Sequence, residues 1–387
     1  MSEIAKIVRQ QVEREGVLPF AEFMRLALYC PKYGYYEQLP GRIGREGDFY
    51  TNVSLGSLFG ELLAFQFAQW LEKLPAGPLQ LVEAGAHNGQ LAADILTWFS
   101  QQQPGLVSRL QYWIIEPSAR RQTWQAKELE HFAHLVRWSE SLAALPAGAV
   151  TGVIFSNELL DAMPVQRLGW DANERCWFEW GVALGIEHRQ HSDVPSHGFI
   201  WKKIPRPPDY FAAALREAGL EIPSEVLAVL PDGFTIDLCS EAASWWREAA
   251  RTLKAGKLLA IDYGFQAEDF LRPERARGTL RAYHRHHASD DLLAYPGEQD
   301  LTAHVNFTQL RRLGEATGLS TEGLFSQERF FTRLAARTWQ DGSGFGEWTP
   351  ARVRQFHPLT HPEHLGRPFS VFVQTRGSKT LLPKLPR

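Results

Sequence analysis

Cysteine is scarce. Cys30, Cys176 and Cys239 are the whole complement of 387 residues, and none forms a C-x-x-C pair, so neither a disulfide framework nor a structural zinc centre is expected. Charge of one sign is also lacking. Lys plus Arg number 41 against 44 Asp plus Glu, a net charge of −3, which argues against broad electrostatic capture of nucleic acid or an anionic membrane. Nor is there a long apolar run. The longest stretch without a charged residue is 141–157, broken by Pro146, Gly148 and Gly152, whereas a spanning helix needs about 20 mostly apolar residues; no membrane insertion is expected. The first residues, MSEIAKIVRQQVEREG, set Ile4, Ile7, Val8 and Val12 on one helical face and carry Glu3, Glu13 and Glu15. A signal or acid-poor transit peptide looks different, and the expectation is a cytoplasmic protein. What is plentiful is tryptophan, 13 residues, mostly core material with a surplus that suits protein recognition.

Periodicity divides the chain. Residues 1–75 read as a helical cap, with a helix opened by Pro19 and another carrying Phe59, Leu63, Phe67, Trp70 and Leu74, around a glycine-rich loop at 33–51. Residues 76–164 alternate apolar runs (79–85, 110–118, 135–141, 151–161) with helical patterns, the signature of parallel βαβ units with helices on both faces of a sheet. Residues 165–235 hold strand-like, Trp-rich segments that predict an antiparallel insertion. Residues 236–387 resume the core: a helix marked by Ala242, Trp246 and Leu253 and closed by Gly256, a buried strand at 257–264, and an edge strand at 369–376. The fold class is α/β, a Rossmann-like doubly wound sheet with a cap and an inserted β segment around one crevice. It is not two independent domains.

The first βα turn is Gly85-Ala86-His87-Asn88-Gly89, after a strand that ends in Glu83 and Ala84. Open α/β sheets bind ligands at such strand ends. The spacing is G-x-x-x-G and not G-x-G-x-x-G, so a dinucleotide pyrophosphate is poorly served and a nicotinamide-dependent oxidoreductase is disfavoured. Glu83 suits a cationic sulfonium ligand better. Glu116, at the end of the second strand, is placed to accept ribose hydroxyls, and Glu140 or Ser141 after the third could meet an adenine edge. The fourth strand runs into Asn157, Glu158 and Asp161, one amide and two carboxylates at the same crevice; Asp262 ends a fifth strand in the same way and is expected on the substrate side. Buried polar groups of this kind are costly unless paired or used.

These motifs resemble the MidA-type S-adenosylmethionine-dependent methyltransferases, a family that includes the arginine methyltransferase of mitochondrial complex I assembly. The resemblance rests on LALYCPKYGYY (26–36), GRIGREGDFYT (41–51), LFGELL (58–63), LVEAGAHNGQLAADIL (81–96), SNELLDAMPV (156–165), AIDYG (260–264) and the long segment at 278–307. It implies a class I methyltransferase sheet that binds S-adenosyl-L-methionine through Glu83, Gly85, Ala86, Gly89, Glu116 and Asn157, with Asp48 and Thr51 folding over the cofactor. It further implies that Asn157, Glu158 and Asp161 line the acceptor side, and that His286, Asp300 and His304 lie near the acceptor. Two positions differ from the family pattern: His87 stands where the cofactor turn usually has a middle glycine, and Asn52-Val53-Ser54 replaces a Pro-Glu segment.

The implied activity is methyl transfer to a protein, with arginine the acceptor by that resemblance. Carboxylates such as Glu158 and Asp161 could grip a guanidinium with bidentate bonds. A basic segment, Arg272 to His287, suggests docking of an acidic partner or a solvated loop, and its histidines have no context that would aim them at a metal. The alternative function is an assembly scaffold that keeps the fold with weak catalysis, and a homodimer is possible.

Overall fold

The computed structural model describes residues 2–38, 51–185, 198–284, 287–340 and 344–377. In chain order, helices α1 (Glu3–Glu15), α2 (Phe20–Tyr29) and α3 (Leu58–Leu71) precede the alternation β1 (Leu79–Ala84), α4 (Gln90–Gln102), β2 (Leu110–Ile115), α5 (Ala119–Glu128), β3 (Val136–Ser139), β4 (Val150–Asn157). Strands β5 (Gln166–Asp171), β6 (Cys176–Leu184), β7 (Phe199–Ile204) and β8 (Thr235–Leu238) follow. Then come α6 (Ser240–Thr252), β9 (Leu253–Phe265), β10 (Arg281–His284), β11 (His287–Ser289), β12 (Asp300–Thr302), α7 (Phe307–Ala316), β13 (Ser320–Ser326), α8 (Gln327–Thr338), α9 (Pro350–Thr360) and β14 (Phe369–Arg376).

The main sheet runs β13-β14-β9-β4-β1-β2-β3. Strands β9, β4, β1, β2 and β3 are mutually parallel, as crossover helices require, and β14 runs antiparallel to both neighbours. One face packs under α3, α4 and α8 through Phe59, Phe67, Trp98 and Phe331; the other packs under α6 and α7 through Trp246, Phe307 and Leu310. A doubly wound mixed sheet results. Helix α3 is buried on nearly every side, which explains why its sequence is apolar all round.

Three boundaries differ from the periodicity. Segment 369–376 is not an edge strand: it pairs with β9 on one side and β13 on the other, and its buried run FSVFVQTR reflects two covered faces. Strand β4 stops at Asn157, so residues 158–161 form the turn beyond it. Gly256, expected to close a helix, lies inside β9 at φ +123°. A Cβ there would sit 1.8 Å from the carbonyl oxygen of Gly152, and one on Gly152 1.8 Å from that of Gln80; three adjacent strands meet where only glycine fits.

Strands β5 to β8 form the antiparallel inserted sheet, joined by residues 18–19 along β6. Helices α1 and α2 share its core, with Ile4, Val8, Phe20 and Phe23 packed with Val182, Phe199, Leu280 and Leu301. Strands β10, β11 and β12 make a small third sheet. In the basic segment, Arg272 pairs with Asp269 at 2.7 Å and Arg275 lies 3.9 Å over the Phe265 ring. Arg281 donates to the carbonyl of Leu280. Much of that charge is engaged within the fold. Among the described residues no helix is long and apolar enough to cross a membrane.

Candidate functional site

A cavity of about 1380 Å³ opens at the carboxyl ends of β1, β2 and β4, walled by residues of the cap on the opposite side. The strand order places β1 between β2 and β4, so the turns that follow them are neighbours. Of the residues singled out from the sequence, Thr51, Glu83, Gly85, Ala86, Glu116, Glu140, Ser141, Asn157, Glu158, Asp161 and Asp300 line it. Asp48 and His286 lie outside the described residues. Gly89 stands behind the turn as the residue before α4, at φ +94°, and packs on Gln125.

Two expectations are corrected. Asp262, expected on the substrate side, is wholly buried beneath the cavity: its Oδ2 accepts from the Leu160 amide (2.9 Å) and its Oδ1 from the Tyr263 amide (2.8 Å). It braces the 158–161 turn, because a carboxylate with two backbone donors is a loop anchor. His304 is turned away from the cavity. Its ring stacks on Phe265 with centroids 4.3 Å apart, and Nδ1 lies 3.2 Å from the carbonyl of Thr279; burial pushes its imidazole down to about 4.

In the inner half, Gly85 takes φ +78° and a Cβ there would press on Leu159 at 3.0 Å. His87 takes φ +46°, a backbone region that glycine enters freely and that strains an L side chain. Burial and the Arg121 cation lower its imidazole to about 4, so it is neutral. Glu83 is 2% exposed and accepts from the Tyr112 hydroxyl at 2.6 Å; burial outweighs that bond and lifts it to about 7. Glu116 Oε1 accepts from the Ser118 amide (2.9 Å) and Arg121 Nη2 (2.7 Å), and Oε2 accepts from Gln125 Nε2 (3.1 Å). Gln125 also donates to the His87 carbonyl and accepts from Trp138 Nε1.

The outer half gathers acids and tyrosines. Glu158 takes φ +51° just past β4, and its Oε1 accepts from the Asn52 amide and from Asn157 Nδ2, both at 3.0 Å. Desolvation raises its carboxyl to about 7. Asp161 is also raised well above the usual carboxylate range, by burial first and then by Asp262, Asp300 and Glu158. The Tyr36 hydroxyl donates to Asp300 Oδ1 at 2.7 Å, the Tyr29 hydroxyl donates to the carbonyl of Ala162 at 2.9 Å, and the two rings stack at 5.4 Å. Asn52 is fixed from behind by Gln327 Nε2 at 2.8 Å.

Sequence reasoning missed Glu37, Asn52, Arg121, Gln125, Tyr29 and Tyr36. A signal existed for Arg121 and Gln125, which follow Glu116 by five and nine residues on helical spacing. None existed for the cap residues, whose partners lie up to 275 positions away.

Residues 62–325 match the family described as "Putative S-adenosyl-L-methionine-dependent methyltransferase". Curated relatives include the mitochondrial protein arginine methyltransferase NDUFAF7 of Rattus norvegicus, 27% identical over 94% of this chain and 82% of that protein. Its counterpart in Xenopus laevis is 26% identical over 97% and 86%. The crystal structure of a COG1565 superfamily member from Burkholderia thailandensis bound to S-adenosyl-homocysteine is 30% identical, with a TM-score of 0.78 over 98% of this chain and 93% of that one. The cytoplasmic expectation is corrected by the curated relatives, which are named mitochondrial. Its basis was the acidic amphipathic start, and that segment is α1, with Ile4, Val8 and Val12 in the core; it reports on folding and not on compartment.

The donor set fits S-adenosyl-L-methionine. Glu116 keeps acceptor capacity on Oε2 for a ribose hydroxyl. Glu83, lifted by burial, would be stabilised in its charged form by a cationic ligand beside it.

Proposed function

The chain belongs to the S-adenosyl-L-methionine-dependent methyltransferase family that its residues 62–325 match, and from that premise we propose that it methylates a guanidinium nitrogen of an arginine side chain in a protein. Glu83 and the 85–89 turn would hold the aminoacyl end of the cofactor and Glu116 its ribose. Bound there, S-adenosyl-L-methionine supplies an electrophilic methyl group on a cationic sulfur.

The observation that carries the acceptor assignment is the outer half itself, where Glu158, Asp161 and Asp300 meet beside the stacked rings of Tyr29 and Tyr36. A cluster of buried carboxylates, with Glu158 and Asp161 raised by desolvation, is stabilised by an incoming cation, and aromatic faces favour a flat guanidinium. The curated relatives, named protein arginine methyltransferases, support the same acceptor. Alignment supplies most of the acceleration. As the nitrogen forms its bond to the methyl carbon and the sulfur–carbon bond breaks, the guanidinium proton must leave. Glu158 would receive it: both of its fixed donors occupy Oε1, so uptake would fall to Oε2, and a carboxyl near 7 suits the task.

Mass spectrometry of protein methylarginine in cells with and without the protein, repeated with Asp161→Ala, tests this. A methylarginine lost in both the deletion and the variant is expected; an unchanged methylarginine profile on deletion refutes the acceptor assignment.

A further inference from the structure

Two adjacent residues of the cap end in different halves of the cavity. In the short turn Tyr35–Glu37, Tyr36 reaches Asp300 in the outer half. Glu37 reaches the inner half, with Oε1 3.0 Å from Arg121 Nη1 and Oε2 accepting from the Ser118 hydroxyl at 2.8 Å. Both ends are built into the fold: Glu37 is 5% exposed and Asp300 fully buried. Buried charge-assisted bonds hold a geometry that exposed pairs do not.

Arg121 is shared, since its other terminal nitrogen holds Glu116. A carboxylate offers about four acceptor positions, and on Glu116 three are filled, two on Oε1 and one on Oε2. One further hydroxyl finds room. A vicinal diol that grips both oxygens must displace a protein donor. The Ser118 amide is fixed by the backbone, and Gln125 is held by His87 and Trp138. Arg121 alone has a second carboxylate, Glu37, already on its guanidinium.

We propose that Arg121 and Glu37 form a relay that couples the two halves of the cavity: a diol on Glu116 turns the Arg121 guanidinium onto Glu37, which fixes the 35–37 turn and with it the Tyr36–Asp300 bond. Glu37 is then a positioning residue for the acceptor half, although it touches no acceptor. The relay rests on the assignment of Glu116 to the cofactor ribose and goes beyond it by joining cofactor occupancy to acceptor binding. Such coupling is reciprocal and commonly about 5- to 150-fold.

Hydrogen–deuterium exchange with and without S-adenosylhomocysteine tests it on the intact protein. In the unaltered protein the ligand is expected to slow exchange about fivefold or more at residues 85–89, 35–38 and 298–306. Glu37→Gln, which keeps the side-chain shape, should retain the slowing at 85–89 and lose it at 298–306. Tyr36→Phe should retain it at 85–89 and 35–38 and lose it at 298–306, and it decides alone if the Glu37 variant does not fold. Equal slowing at 298–306 in the unaltered protein and in the folded variants overturns the relay and leaves the cofactor site standing. No slowing at 85–89 in the unaltered protein overturns both.

Discussion

The two halves of the cavity are built on different plans. The inner half is assembled from strand ends and the turns that follow them, within 83–89 and 116–125, and its shape is set by backbone: a glycine turn, a strand end, a helix start. The outer half is assembled from side chains of the cap, the turn after β4 and the 300 region, segments remote in sequence and held by single hydrogen bonds. A common cofactor needs a fixed cradle that any chain of this fold can carry. An acceptor needs a surface that can be rebuilt without disturbing that cradle.

If the halves meet only through Arg121 and Glu37, changes elsewhere in one should spare the other. The largest effect is expected from Glu158→Gln, which keeps the bonds to Asn52 and Asn157 possible but removes the proton acceptor: turnover should fall by about a hundredfold or more, while S-adenosylhomocysteine affinity by calorimetry stays within about threefold. Loss of both together would show that Glu158 belongs to the cradle. Next, Gly85→Val forces a branched side chain to φ +78° against Leu159. At about 2 kcal/mol of strain, S-adenosylhomocysteine affinity should drop about 30-fold with little change in turnover at saturation.

The third expectation concerns pH. The Glu158 carboxyl stands near 7 in the free protein, and only its ionised form grips a guanidinium and accepts its proton. Acceptor kcat/KM should therefore rise about tenfold from pH 5.5 to 6.5 and flatten above about 7, and the rise should vanish in Glu158→Gln. A flat profile across pH 5.5 to 8 in the unaltered protein would remove Glu158 from that role. The smallest effect is expected from Tyr29→Phe, which deletes the bond to the Ala162 carbonyl. About 1 kcal/mol of stability should be lost in urea titration, with cofactor affinity unchanged.

The inner half was largely legible in the sequence because its information is local. Glu83, Gly85 and Glu116 stand at strand ends that periodicity locates, and all three line the cavity. The outer half was legible only as residue types. Asp262 and Asp161 look alike in sequence, each an acid near the carboxyl end of a buried strand, yet Asp161 faces the cavity and Asp262 is consumed by two backbone amides beneath it. Deciding between them needs the path of the turn, which spacing does not encode. His304 was misplaced for a related reason, since its aromatic partner Phe265 comes from another strand. The order of the last strands was hidden too: a short apolar run such as Phe369 to Val373 reads the same at an edge or between neighbours.

That last strand has a consequence for how the chain is made. Because β14 lies between β9 and β13 and follows both in sequence, β13 has no neighbour in the sheet until the ribosome has delivered residues 369–376. Until then the growing chain carries an unpaired hydrogen-bonding edge along β9, with Val371 and Val373 missing from one core and Phe372 from the other. Translation that stalls within those few codons leaves a sheet poised to pair with a foreign strand. Completion of the sheet thus waits on a strand that is translated after all the others in it.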